Sequence, residues 1–68
     1  MIREYEIRQA VVVLEAIMKR AQGKEASFVG KVLKAAFDEG KRILEEEGFE
    51  IEATRGGISW RRKARVSA

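Results

Sequence analysis

Cysteine, histidine, proline and asparagine are all absent from this sequence, and each absence closes a class of explanation. Without cysteine there is no disulfide framework, and without cysteine or histidine the usual zinc ligands are missing too. Most nucleophile and base pairs and the triad arrangements go with them, so the chain points away from an enzyme. The glycines do not follow G-x-G-x-x-G spacing and there is no Walker sequence. No cofactor and no small-molecule substrate are expected. The longest purely apolar run, Ala10 to Leu14, is far short of the roughly 20 residues that span a bilayer. With no tripartite signal-peptide start, a soluble, cytoplasmic protein without a membrane partner is expected.

What is present is charge: 14 lysines or arginines against 11 acidic residues. Abundant Lys, Arg and Glu with few thermolabile side chains is the composition of heat-adapted proteins. Design is disfavoured, because a designer avoids glycine inside a helix and glutamates at its C-terminal end, and this chain has Gly30, Gly40 and the run Glu45, Glu46, Glu47. At 68 residues the chain forms one domain with a thin core. Small folds add disulfides, a metal or a partner subunit, and here only the subunit is left. A homodimer is expected.

Residues 27–47 carry the strongest pattern. Val29, Val32, Leu33, Ala36, Phe37, Gly40, Ile43 and Leu44 recur at intervals of three and four, which keeps one helix face apolar. Ser27 is the expected N-cap. The stripe keeps its phase across Gly40, which favours one long helix over a break at Asp38. Residues 2–22 form the first helix, with Glu4 and Glu6 at the positive end of its dipole, Lys19 and Arg20 at the negative end, and Gly23 as the stop. Ile7, Ala10, Val11, Leu14, Ile17, Met18 and Ala21 make one stripe; Ile2, Tyr5, Val12, Val13 and Ala16 make a second, so this helix needs two partners. The short connection Lys24–Ala26 makes the helices antiparallel.

After Gly48 the period changes to two. Phe49, Ile51 and Ala53 alternate with Glu50, Glu52 and Thr54; beyond Gly56 and Gly57, Ile58 and Trp60 alternate with Ser59 and Arg61. Alternation around Gly-Gly signals a β-hairpin over about 49–64. A Gly56-Gly57 turn pairs Thr54 with Ser59, Glu52 with Arg61 and Glu50 with Lys63. The apolar face, Phe49, Ile51, Ala53, Ile58, Trp60 and Ala64, should cover the second stripe of the first helix. The fold class expected is therefore α+β: an antiparallel two-helix hairpin followed by a C-terminal two-stranded β-hairpin and a short basic tail.

Charge is unevenly spread. Residues 1–50 hold nine Lys or Arg against ten acidic residues, and residues 51–68 hold five against one. Arg55, Arg61, Arg62, Lys63 and Arg65 suit a phosphate backbone and are the candidate nucleic-acid-binding residues, for DNA or RNA. If Glu50 and Glu52 pair as above, Arg55, Arg62 and Arg65 remain free. Cationic side chains also protect an open strand edge from aggregation. Tyr5, Phe28 and Trp60 could stack on bases, but their apolar settings favour core packing. The leading function is a small nucleic-acid-binding accessory or regulatory protein; the alternative is an oligomeric interaction or assembly module, such as an adaptor or inhibitor.

Helices followed by a glycine-turned basic hairpin, with Arg42–Phe49 leading into it, resemble the second half of a winged-helix DNA-binding domain over about residues 27–63. In that family the helix before the wing enters the major groove. Here that segment, Asp38 to Glu47, carries five acidic residues against Lys41 and Arg42 and would be repelled by phosphate, so family membership does not follow.

Overall fold

The computed structural model describes residues 2–63. Two helices, α1 (Glu4–Ala21) and α2 (Phe28–Glu46), precede strands β1 (Phe49–Thr54) and β2 (Gly57–Arg62), the α+β order that the change of period implies. Local chemistry accounts for the ends. At the start of α1 the Arg3 backbone N–H donates to the Glu6 carboxylate at 2.9 Å, and Glu4 pairs with Arg8 at 3.0 Å. Ser27 caps α2 by accepting from the Gly30 N–H at 3.0 Å. Gly23 and Gly48 turn the chain after each helix at φ 77° and 97°, where glycine is free of the Cβ clash that other residues meet.

Gly40 does not interrupt α2. A Cβ there would lie 2.7 Å from Leu14 Cδ2, so the end of the Leu14 side chain fills the space that glycine leaves open between the helices. The core lies where the helices and hairpin meet: Ile7, Val11 and Leu14 from α1, Leu44 from α2, Phe49 and Ile51 from β1. Ile58 and Trp60 pack against it half-buried, the Trp60 ring meeting Phe49 edge-on with centroids 5.8 Å apart.

Several expectations are corrected. The turn is Arg55-Gly56, not Gly56-Gly57: Thr54 lies opposite Gly57, Glu52 opposite Ser59, Glu50 opposite Arg61 and Phe49 opposite Arg62. Gly57 takes φ 131°, and the Glu15 carboxylate occupies the space of its missing Cβ, 2.6 Å from that position, while accepting the Ile58 N–H at 2.9 Å. The positive φ favours glycine at position 57, and the Glu15 contact ties α1 to the start of β2.

The hairpin does not cover the second stripe of α1. It lies against the stripe that α2 also uses, because the close crossing at Gly40 makes Ile7, Val11 and Leu14 the floor of one groove. Tyr5, Val12 and Val13 stay exposed, Val12 by 63%. Nor is the α2 stripe wholly buried: Leu33, Phe37, Gly40 and Leu44 turn inward, whereas Val29, Val32, Ala36 and Ile43 are exposed. Phe28 is 80% exposed, against the expectation that it and Tyr5 pack inside. Ala53 is exposed as well; Ala64 lies outside the described residues.

Candidate interaction surfaces

Two surfaces can be built from these elements. The first is the basic hairpin. Arg55 sits exposed in the turn. Arg61, on the outward face, forms an ion pair with Glu50, not with Glu52. Arg62, expected to be free, stands on the packing face opposite Phe49, its guanidinium 5.1 Å from the ring centroid, a cation–π contact. Lys63 is exposed and its backbone N–H donates to the Gly48 carbonyl at 2.9 Å, so it does not stand opposite Glu50. The two-residue register difference is the cause of these re-pairings. Arg65 lies outside the described residues. The hairpin thus brings Arg61, Arg62 and Lys63 together at one end, and leaves Arg55 about 20 Å away at the other by strand rise. Glu50 and Glu52 share the outward face with Ser59 and Arg61.

The second surface is helical, and apolar spacing alone did not single it out. At 100° per residue, Val29, Val32, Ala36 and Ile43 lie on the flank of α2 away from Lys41, whose side lines a hollow beside β1. On α1, Val13 with half-buried Ala10 and Ile17 lies on the flank away from Glu15, which reaches the hairpin. By this projection both flanks turn to the side of the helix pair away from the hairpin, with the exposed Glu6 and Arg20 among the α1 residues there. Val32 is 52% and Ile43 48% exposed. The α2 flank has a charged rim: Arg42 bonds both Glu39 and Glu46, and the Arg42 hydrogen bond and charge hold the Glu39 carboxyl below the usual carboxylate range. A depressed carboxylate contributes helix stabilisation that is present above its unfolded pKa and lost as pH falls through the folded one.

Between Met18, Ala21, Gly30, Leu33, Phe37 and Ala53 lies an open, mainly apolar hollow of about 280 Å³. Among the described residues no group of three acidic or other metal-ligating side chains could hold a metal ion, and no helix is long and apolar enough to cross a membrane. No protein-family model, curated protein or solved structure matches the chain.

Proposed function

We propose that this protein is a self-associating interaction or assembly module whose working surface is the apolar face of α1 and α2. The observation that carries this reading is the exposure of Val13, Val29, Val32 and Ile43 on one side of a chain that buries only six large apolar side chains among the described residues. Exposed apolar side chains gathered on one side and rimmed by charge suit a contact with another protein surface. Sedimentation at micromolar concentration should give a dimer or larger for the natural sequence and a monomer for the Val32→Lys, Ile43→Lys variant. A monomeric natural protein removes the reading, and a variant that still assembles removes this face from it.

A second reading, contact with DNA or RNA, is supported by Arg55, Arg62 and Lys63, which are exposed and form no ion pair among the described residues. Replacing Arg55, Arg62 and Arg65 by alanine should weaken binding to duplex and single-stranded probes and make the salt dependence shallower by about one unit per lost phosphate contact. Absence of salt-sensitive affinity in the natural protein at low ionic strength ends that reading.

A further inference from the structure

One line along α1 ends in opposite charges that find no partner in their own chain. Glu6, Val13 and Arg20 stand seven residues apart, so each is offset from the last by only about 20° around the helix. Val13 lies about 200° from Glu15, on the side away from the hairpin that Glu15 holds. All three are exposed, and the same side carries Gln9, Ala10, Ala16 and Ile17 with no other charge of α1. The Glu6 carboxylate accepts the Arg3 backbone N–H. Among the described residues neither it nor the Arg20 guanidinium forms an ion pair, whereas Arg8 and Arg42 are both paired within the chain. Helix rise puts Glu6 and Arg20 about 21 Å apart, so they do not meet within one copy.

We infer that α1 packs along this line against α1 of a second copy, antiparallel, about a two-fold axis at Val13. The inference rests on the self-association proposed above and adds to it the axis and the residue pairing. Val13 stands midway along Glu4–Ala21, so an axis there overlaps the two helices along their whole length. Glu6 of each copy then faces Arg20 of the other, and Gln9 faces Ile17. Ala10 faces Ala16, and side chains this small let two helix axes come close. A parallel pairing along the same line would set Glu6 against Glu6 and Arg20 against Arg20, a like-charge juxtaposition that suppresses an interface. One helix pair covers less than the roughly 800 Å² per partner of a standard interface. Ala36 and Ile43, exposed on the flank of α2 that turns to the same side, extend it.

The chain has no cysteine, so an introduced one reports on the axis without interference. Val13→Cys should form a disulfide between copies under mild oxidation, because a bridge needs Cα atoms within about 7 Å of each other. Val12→Cys, turned about 100° away and more exposed than Val13, should not. Equal rates for the two, or no bridge at position 13 in a protein that still associates, overturns the axis. Direction is tested by charge. Arg20→Glu alone and Glu6→Arg alone should each raise the dimer dissociation constant about tenfold at low salt, since one reversal turns both symmetric pairs repulsive, with less effect at high salt. Mixing the two variants should restore assembly as a heterodimer with two Glu–Arg contacts. That rescue separates lost pairing from lost folding, because a misfolded chain gains nothing from its complement; circular dichroism of each dilute variant checks the same point. If the natural protein associates but the single reversals leave it unchanged, the antiparallel pairing is wrong and the assembly reading stands. If the natural protein is monomeric, both fall.

Discussion

Phe49→Ala is expected to leave most of the chain unfolded in dilute solution. The side chain is 1% exposed, makes a T-shaped contact with Trp60, carries Arg62 over its face, and belongs to the cluster that joins both helices to the sheet. Truncating a buried phenylalanine costs about 3–5 kcal/mol. A domain of this size has a total stability of about 3–10 kcal/mol, so the loss takes much or all of it. Urea unfolding followed by far-ultraviolet circular dichroism measures the difference. Val12→Ala on the exposed side of α1 is the control, with a change within about 0.5 kcal/mol. Equal effects for the two would mean that the core is not where Phe49 places it.

Gly30→Ala should destabilise, against the ordinary sign for a helix. Alanine favours a helix interior by about 1 kcal/mol over glycine. Here the added Cβ would lie 1.8 Å from the Lys24 carbonyl oxygen and 2.6 Å from its carbon. The obstacle is backbone, held because the same carbonyl accepts the Ser27 N–H at 2.9 Å and the Ser27 hydroxyl at 2.7 Å. Relief requires the 24–27 loop to lift off α2 and release the cap. A cost of about 2–3 kcal/mol would lower the midpoint of thermal unfolding by roughly 10 °C or more. Gly40→Ala meets only the end of the Leu14 side chain, which can rotate away, so it should cost less. A raised midpoint for Gly30→Ala would overturn the account of this loop.

Gly30 also marks how far the sequence can be read. The cap at Ser27, the stops at Gly23 and Gly48 and the alternation of the hairpin are local, and they stand where residue chemistry puts them. Alternation does not place the turn, because a shift of two residues keeps every side chain on its face; only an odd shift exposes the core. Glu15 decides the matter from far along the chain, and nothing near Gly57 announces it. The two stripes of α1 are not distinguished by sequence for a related reason. Ile7, Val11 and Leu14 are no more apolar than Val12 and Val13, and spacing reports which residues share a face without reporting what covers it. The same blindness hid the split in the α2 stripe. For the candidate cations, exposure could be foreseen from their position on a hairpin, but the partners of Arg61 and Lys63 could not, because they change with the register; that Arg62 stands on the packing face was legible, since it alternates with Ile58 and Trp60.

The Glu15 carboxylate joins residues 43 positions apart, whereas the sheet's own ladder joins near neighbours in the chain. The hairpin can therefore separate from α1 with its strand pairing intact, a partial opening distinct from global unfolding. In hydrogen-exchange terms the amide of Ile58, protected by a side chain of another element, registers departure of the sheet from the helices. The amide of Lys63, held by Gly48, registers opening of the hairpin itself. Two amides at opposite ends of β2 thus time two different events.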